Sequence, residues 1–296
     1  MTVIIFSMET LVDIAIPFVV IIMMFVVGLE LTLEDFRQIH RFPKPVVVGT
    51  AGQLTIIPII AIVLAFVLDL PRHIVAGMVL VAACPAGAIS NYYVYLARAN
   101  VALSVTLTAV TTVLAFVTLP VLTALGFELL LNQQQAIPVP VSNMMTQLFV
   151  ILLLPTVAGM WVRNRWTEWV RRHKSLLRQF SMGALVLLIA FIMQDQAEIL
   201  LAQIGELFFT AVLFTLLAMA AGFVTGWGLG LSSRDWFVFM VEYAARNFAI
   251  ATVVGASLLG QTEFVLFAAA FFLIQVPFML VAIVFQRQRG SNRVVL

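Results

Sequence analysis

Residues 84–91 read CPAGAISN, and they lie inside an apolar segment that covers about residues 73–97. Pro85 has no backbone N–H and disrupts a helix just before it, while Gly87 relaxes the backbone that follows. Carbonyls freed in this way at membrane depth are tolerated only where they are buried in protein or line a cavity. The stretch therefore predicts a broken membrane helix with a functional break, and a proline kink whose polar residues bond between helices is the structural alternative.

The composition of the whole chain assigns it to the membrane. Of its 296 residues, 63% are hydrophobic and only 10% are charged, and the mean hydropathy is +1.11. Soluble domains carry about 25% charged residues, so this chain has too few to cover a water-facing surface. We therefore expect an all-α, polytopic protein in a lipid bilayer, with no nucleic-acid partner and with no protein partner indicated.

Nine apolar segments follow one another, and each is about long enough to cross a bilayer as a helix. Their residue ranges are 11–29, 45–68, 73–97, 100–124, 143–163, 176–193, 203–230, 235–258 and 262–286. The loops between them are short, and no linker divides the chain. Residues 1–296 are therefore expected to form a single transmembrane domain.

Basic residues are distributed unevenly between the two sides that nine spans define. Of the 16 Lys and Arg residues, 14 are assigned to one side, Arg72 falls in a loop of the other, and Arg246 lies in the middle of the eighth span. Since cytoplasmic loops carry the excess of Lys and Arg, we expect a cell (inner) membrane protein with its N-terminus outside and its C-terminus in the cytoplasm. The residues assigned to the cytoplasmic side are Arg37, Arg41, Lys44, Arg98, Arg163, Arg165, Arg171, Arg172, Lys174, Arg178, Arg234, Arg287, Arg289 and Arg293.

The eighth segment carries a second interruption, EYAARNFA at 242–249. The third and eighth segments are five helices apart, and this odd offset makes them run in opposite directions. Residues 11–142 and 176–286 can then form inverted repeats, with the span at 143–163 unpaired. Transporters built from such repeats bind ions and substrate where discontinuous helices meet near the midplane. The pattern predicts two discontinuous helices that meet near the midplane.

Glu242 and Arg246 are charged residues inside an apolar segment, where each costs about 2.5–3.5 kcal/mol to insert. They should therefore face the protein interior or a water-filled cavity. One interpretation is a structural ion pair, because residues at i and i+4 are neighbours on a helix. The other is that Glu242 binds a cation, and that Arg246 competes with it, replaces it or holds an anionic substrate.

Polar residues in other segments have both structural and functional interpretations. Ser104 and Thr108 lie on one helical face within VALSVTLTAVTT (101–112), and such residues frequently bond back to their own helix. Gln53 lies among apolar residues, where a lone glutamine more often bonds between helices than binds a ligand. Glycines that recur every four residues indicate a close-packing face in the seventh segment: Gly222, Gly226 and Gly230.

Two stretches resemble a known family of membrane proteins. CPAGAISNYYVYLARANVALSVTLTAVTTVLAFVTLP (84–120) is similar to the signature region of the bile acid:sodium symporter family, and MMFVVGLELTLEDF (23–36) is similar to its first conserved stretch. EYAARNFA matches in part, because the family usually has E-x-G-M-Q-N there. The resemblance covers most of the chain in order. It implies inverted five-helix repeats that form a panel and a core domain, here in the nine-helix form that lacks the first helix. It also implies that the third and eighth segments are two discontinuous helices that cross in the core domain.

The resemblance also implies sodium sites. The residues that match the first site are Ser90, Asn91, Ser104, Thr108 and Glu242. Those that match the second site are Gln53, Glu242, and Tyr243 and Ala245 through their backbone, with Arg246 where the family has a glutamine ligand. Arginine has no acceptor and carries a permanent charge. We therefore expect a degenerate second site in which Arg246 replaces a ligand and pairs with Glu242, and one retained sodium ion.

The predicted function is secondary active transport of a small organic carboxylate or sulfonate by alternating access, coupled to sodium through one site. The predicted substrate-binding residues are Arg246, Asn247 and Asn91. A sodium-independent carrier, driven by protons or exchange, is an alternative in which Arg246 replaces the ion. A non-transporting receptor or an intramembrane enzyme is the alternative from another class. We expect neither enzymatic activity nor an organic cofactor, because the sequence contains no evident nucleophile–base set or metal-ligand cluster.

Overall fold

The computed structural model describes residues 14–131 and 139–291, which are almost entirely helical. Short π-helical turns join α7 to α8 (Phe149–Leu153) and extend α13 (Val253–Leu258), and 3-10 turns follow α2 (Gln38–His40) and precede α14 (Thr262–Phe264). The helices are α1 (Ile16–Glu30), α2 (Leu33–Arg37), α3 (Pro43–Leu68), α4 (Arg72–Ala83), α5 (Ile89–Leu96), α6 (Val101–Leu131), α7 (Val141–Leu148), α8 (Leu154–Arg165), α9 (Thr167–Asp195), α10 (Ala197–Ala202), α11 (Ile204–Gly228), α12 (Ser233–Ala244), α13 (Phe248–Thr252) and α14 (Val265–Ser291).

Several helices are long and apolar enough to cross a membrane, and this confirms the predicted all-α membrane fold. Within the described ranges there are six such spans, or seven if α1 and the segment after it, which bends by 68°, count as one. The six are α3, α6, α7 with α8, α9, α11, and α14 with its preceding turn. The first residues of the predicted 11–29 segment, and Arg293, lie outside the described ranges.

The third and eighth predicted segments are each interrupted. The third consists of α4 and α5 with a break at 84–88, and the eighth consists of α12 and α13 with a break at 245–247. The backbone N–H of Gly87 donates to the carbonyl of Ala245 at 2.8 Å, and that of Asn247 donates to the carbonyl of Pro85 at 2.9 Å. These bonds form an antiparallel bridge. Each break therefore satisfies backbone groups of the other, as a non-helical backbone at membrane depth requires.

The predicted glycine face in α11 is confirmed at two of its three positions. A Cβ at Gly222 would lie 2.4 Å from the carbonyl oxygen of Phe239, and one at Gly226 would lie 2.6 Å from the Cβ of Trp236. These contacts hold α12, which carries Glu242, close against α11. The prediction is wrong for Gly230, because α11 ends at Gly228 and Gly230 has a φ of +68° with open space around it.

Helix α1 is packed closely against α8 by a second pair of glycines. A Cβ at Gly28 would lie 2.1 Å from the carbonyl oxygen of Thr156, and one at Gly159 would lie 2.2 Å from that of Phe25. The side chain of Arg163 also donates to the carbonyl of Leu29 at 2.8 Å. This close approach fixes the position of α1, which forms one wall of the cavity described below.

The fifth and sixth predicted segments, 143–163 and 176–193, imply a loop at 164–175, and this is wrong. Helix α8 continues to Arg165, and α9 begins at Thr167, so that Trp166 alone joins them with a non-helical φ of −130° and ψ of 54°. Polarity is a poor indicator of a loop here, because Arg and Lys are good helix formers. As a result α9 starts well before the predicted 176, and Arg178 lies about three turns into the helix instead of in its first turn.

Candidate functional site

Glu242 lies near the end of α12, and its side chain is fully buried. Its Oε1 accepts hydrogen bonds from the hydroxyls of Ser90, at 2.7 Å, and Ser104, at 2.6 Å. The hydroxyl of Thr108 lies 3.1 Å from both carboxylate oxygens. Three hydroxyls from α5 and α6 thus surround one buried carboxylate and offset part of the cost of removing it from water.

Asn91 belongs to the same cluster. Its Oδ1 lies 2.8 Å from the hydroxyl oxygen of Ser104 and 3.4 Å from that of Thr108, within hydrogen-bond distance of both. The structure therefore brings together all five residues predicted for the first sodium site. Because Ser104 and Thr108 bond across to other helices, the interpretation that they only bond back to their own helix is wrong. That interpretation holds for Thr111, which donates to a carbonyl of its own helix at 2.9 Å.

The cluster consists of hydroxyl, amide and carboxylate oxygens, and it can serve two chemical purposes. Hydroxyls both donate and accept, so the three hydroxyls can stabilise the bare carboxylate, as they do in the structure. They can also turn their lone pairs toward a hard monovalent cation whose charge the carboxylate balances. These residue types therefore fit a sodium ion, and the donor set alone is compatible with both states.

Arg246 lies in the break between α12 and α13 and is only 1% exposed. Its Nη1 donates to Oε1 of Gln53 at 2.9 Å. Its Nη2 donates to the carbonyl of Ala82 at 3.1 Å and also to that of Cys84. Helix α4 ends there because Pro85 cannot continue its hydrogen-bonding pattern, which leaves terminal carbonyls without helical partners. The guanidinium replaces those partners and lies at the negative end of the helix dipole.

The predicted ion pair between Arg246 and Glu242 is wrong. The structure places the guanidinium against Gln53 and the end of α4, and the ion pairs among the described residues do not include these two side chains. The reason is local: α12 ends at Ala244, between the two residues, so the i, i+4 geometry of a continuous helix is lost.

The residues predicted for a second sodium site are engaged by other groups of the protein. Gln53 accepts from Arg246 through its amide oxygen, and the carbonyl of Ala245 accepts from Gly87. Tyr243 remains within α12 and is fully buried. Arg246 thus contacts Gln53 and the backbone oxygens of α4, while Glu242 turns toward the hydroxyl cluster.

A cavity of about 360 Å³ lies between α1, α9 and the two helix breaks. Two of the three predicted substrate-binding residues, Arg246 and Asn247, line it. The Oδ1 of Asn247 also caps α13 by accepting from the backbone N–H of Ile250 at 3.3 Å. Asn91 does not belong to the cavity lining, because its amide oxygen faces the hydroxyls of Ser104 and Thr108.

Sequence reasoning missed two charged residues of this cavity, Glu30 and Arg178. Their side chains form an ion pair at 3.4 Å, and the guanidinium lies 5.6 Å from the ring centroid of Tyr92. Arg178 was counted with the cytoplasmic charges because the predicted segment begins at 176, which puts Arg178 in its first turn. The signal that could have revealed its place is that α9 continues through the basic stretch without Gly or Pro.

Comparison with known proteins identifies the family of this chain. The model of the sodium bile acid symporter family matches residues 17–203, well over half of the chain. The chain belongs to the sodium bile acid symporter family. The match includes α4, α5 and α6, and with them the four neutral residues of the cluster. It ends before α12, so for this member of the symporter family the roles of Glu242 and Arg246 rest on the geometry.

Similar proteins come from bacteria, plants and mammals. The chain is 34% identical over 192 residues to the "Uncharacterized sodium-dependent transporter YocS" of Bacillus subtilis, a match that covers 65% of this chain and 58% of that protein. It is 33% identical over 201 residues to the "Probable sodium/metabolite cotransporter BASS2, chloroplastic" of Oryza sativa subsp. japonica, covering 68% and 46%. The matched region thus spans about half the length of these relatives.

Proposed function

We propose that this protein is a secondary transporter of a small organic anion and that it couples transport to one sodium ion. The observation that carries the proposal is the convergence of four neutral oxygen-bearing side chains on one buried carboxylate. The names of the relatives, a sodium-dependent transporter and a sodium/metabolite cotransporter, support it. The sodium-binding residues in this proposal are Ser90, Asn91, Ser104, Thr108 and Glu242.

Arg246 takes the place of a second sodium ion in this proposal. The guanidinium contacts a glutamine side-chain oxygen and two backbone carbonyls, which are the kinds of oxygen that a hard cation also seeks. A guanidinium there supplies a positive charge that cannot leave the protein. The site that also includes Gln53, Glu242, Tyr243 and Ala245 is therefore degenerate, and the transport cycle uses one ion.

The proposed architecture has nine spans in inverted repeats, with the C-terminus in the cytoplasm. The repeats are residues 11–142 and 176–286, with the span at 143–163 unpaired. Support comes from the antiparallel pairing of the two breaks and from their place in the third and eighth segments. The uneven distribution of Lys and Arg supports the orientation and a place in the cell (inner) membrane.

Alternating access would move the helices on one side of the cavity relative to those on the other. The cavity lies between α1 and α9 on one side and the broken helices on the other, so such a movement would change which membrane face it opens to. Its volume of about 360 Å³ is at the low end for small-molecule sites. The proposed substrate is accordingly a small carboxylate or sulfonate, with Arg246, Asn247 and Asn91 as residues near its path.

A sodium-independent carrier is the second candidate, and the contacts of Arg246 favour it. The guanidinium already provides a buried positive charge, and the three hydroxyls already satisfy Glu242 without an ion. Protons or exchange would then drive the cycle. A receptor or an enzyme differs from both carriers in a simple way, because it would produce no flux of an organic anion into liposomes.

The experiment that tests the proposal compares the thermal stability of the purified protein in sodium chloride and in potassium chloride at equal ionic strength. A ligand that binds only the folded state adds RT ln(1 + [L]/Kd) to stability, about 2.7 kcal/mol when the ligand is at 100 times its Kd. We expect a sodium-specific rise in melting temperature for the wild-type protein.

The Arg246→Gln variant, measured in the same way, distinguishes the candidates. A sodium-specific rise that appears only in this variant would support the sodium-independent carrier, because the arginine would then have replaced the ion. No sodium-specific rise in either protein would contradict the sodium site. The matched control is Arg171→Gln, which changes an exposed arginine that pairs with Glu168 on the surface.

A further inference from the structure

Three of the described residues that line the cavity carry a charge: Glu30, Arg178 and Arg246. A cavity that accepts an organic anion needs a cationic or strongly donating group for the anion and an apolar wall for the rest of the molecule. Two arginines are candidates for the cationic group. They differ in exposure and in how many hydrogen bonds each guanidinium already donates to the protein.

The guanidinium of Arg246 already donates its hydrogen bonds to other groups of the protein. Its side chain is only 1% exposed, and both terminal nitrogens of its guanidinium donate to protein oxygens. Turning it toward a substrate would leave the carbonyls of Ala82 and Cys84 without this donor at membrane depth, which is costly. Arg246 therefore contributes a positive potential to the cavity, and its hydrogen bonds remain with the end of α4.

Arg178 is available to a ligand. Its side chain is 44% exposed, and its contact with Glu30 is a single long one at 3.4 Å. The Glu30 side chain is 22% exposed, so the pair is partly exposed, and such pairs contribute little, about 0–1 kcal/mol when they are fully exposed. A second carboxylate can therefore replace Glu30 at a modest cost. The guanidinium has five donors arranged as a fork that matches carboxylate and sulfonate oxygens, and the ring of Tyr92 supports it from one side.

The rest of the cavity is mainly apolar. Side chains from α1, from the start of α5 and from the start of α13 form the wall: Met23, Val26, Val27, Ile89 and Phe248. A ligand whose charged end lies at Arg178 would place its other end against this wall and near the helix breaks. The arrangement fits a molecule with one anionic group and an apolar body.

We infer that Arg178 binds the anionic group of the substrate at the edge of the cavity, and that Glu30 pairs with the Arg178 guanidinium until the anionic group replaces Glu30. The ligand class is an apolar monocarboxylate or monosulfonate. The inference rests on the proposed function and deepens it by naming the specificity-determining cation. Arg246 then attracts the substrate through its positive potential and makes no hydrogen bond to it.

The test uses purified full-length protein and the potassium salts of straight-chain carboxylates from butanoate to octanoate, each beside its neutral primary amide. Thermal stability is measured against ligand concentration. We expect carboxylates, and not amides, to stabilise the wild-type protein. Arg178→Gln should weaken this binding by about tenfold or more, because it removes a charge-assisted hydrogen bond. Arg178→Lys should retain part of it, because it keeps the charge and loses the fork.

Two further variants complete the design. Glu30→Gln should bind the same carboxylates a few times more tightly, because it removes the competing anion and leaves the cavity shape intact. Arg171→Gln is the matched control, since this arginine lies in the same helix, pairs with a glutamate at 2.7 Å and is absent from the cavity lining. We expect it to bind carboxylates as the wild-type protein does.

Carboxylate binding by Arg178→Gln at wild-type strength would overturn the inference, and so would the absence of any carboxylate-specific stabilisation of the wild-type protein. Looser binding by Glu30→Gln would overturn the role given to Glu30. The sodium-specific stabilisation of each variant shows that it is folded. If sodium stabilises the wild-type protein and Arg178→Gln leaves carboxylate binding unchanged, only this inference fails. If neither sodium nor carboxylates stabilise the wild-type protein, both this inference and the proposed function fail.

Discussion

The hydroxyls around Glu242 take the place that water has around an exposed carboxylate. Each donates at 2.6–3.1 Å, and they come from two helices that are far in sequence from the glutamate. In a low-dielectric interior such a network is strong when every member is satisfied and costly when one is missing. The effect of removing a single hydroxyl should therefore exceed that of removing an ordinary surface hydrogen bond.

Thr108→Val tests this expectation. Valine has nearly the shape of threonine, so the change removes the hydroxyl that contacts both oxygens of Glu242 and leaves the packing in place. We expect a loss of about 1–3 kcal/mol in stability, the usual cost of an unsatisfied buried group, and about tenfold weaker sodium binding. Sodium-dependent thermal stabilisation measures both.

The matched control is Thr111→Val in the same helix. Thr111 is also 1% exposed, and its hydroxyl donates only within α6. We expect wild-type sodium binding in this variant. Equal losses of sodium binding in the two variants would mean that the cluster around Glu242 is not the ion site.

Residue by residue, the members of the cluster were predictable and the partners of Arg246 were not. The members of the cluster were identified from the family resemblance, which rests on the motif at 84–91 and on the stretch that contains Ser104 and Thr108. The direction of the Arg246 side chain depends on where α12 ends and on which carbonyls Pro85 leaves without donors. Both features depend on how two distant chain segments contact each other, so neither can be predicted from the sequence of one segment alone.

At the level of elements, the two broken helices depend on each other. Helix α4 loses its hydrogen-bonding pattern at Cys84, and α12 loses its own at Ala245. The groups that each break exposes are bonded by the other break and by Arg246. Neither break is a stable structure by itself in a membrane, so the close packing of α12 against its neighbours is needed to keep the breaks in contact.

Gly222→Ala tests that packing. A methyl group there would lie 2.4 Å from the carbonyl oxygen of Phe239 in α12, so the two helices must separate. We expect a loss of about 1–3 kcal/mol in stability, as for other overpacked interiors, and weaker sodium binding because Glu242 moves with α12. Thermal unfolding with and without sodium measures the effect.

Gly228→Ala is the control in the same helix, because a methyl group there meets no atom within 4 Å. It should leave sodium binding unchanged and stabilise the helix slightly, if at all, through the higher helix propensity of alanine. A larger loss of stability in Gly228→Ala than in Gly222→Ala would contradict the packing described for α11 and α12.

Element types were predicted better than element ends. Both interruptions were expected from Pro85 and from the charged residues at 242–246, since these features leave few alternatives inside an apolar helix. The join at Trp166 was missed, because basic and aromatic residues form helices as readily as loops when no Gly or Pro is present. The position of Arg178, and with it the charged edge of the cavity, was lost through that one boundary.

For the molecule as a whole, the proposed orientation in the membrane rests on charge placed at one end of long helices. Helix α9 has 29 residues and is therefore about 43 Å long, more than the roughly 30 Å of the hydrocarbon core. Its start carries Arg171 and the rest of a basic cluster, and its end carries Asp195. Both ends are exposed and should reach water on opposite sides.

Single cysteines at these ends test the orientation. Cys84 is the only cysteine and is buried, so Cys84→Ala provides the background. In intact cells, a membrane-impermeant maleimide should label Asp195→Cys, and it should label Arg171→Cys only after the cells are permeabilised. The reverse pattern would invert the proposed topology, and labelling of both in intact cells would contradict a membrane-spanning α9.

The guanidinium fixed at the end of α4 has an energetic consequence for the proposed cycle. A sodium ion carries its charge across the membrane, whereas Arg246 stays in the protein, so one sodium ion and one monovalent anion move no net charge. Moving one elementary charge through 100 mV is worth about 2.3 kcal/mol, or about fiftyfold in accumulation. Under that stoichiometry the carrier gains nothing from membrane voltage and would accumulate its substrate equally well in polarised and depolarised cells.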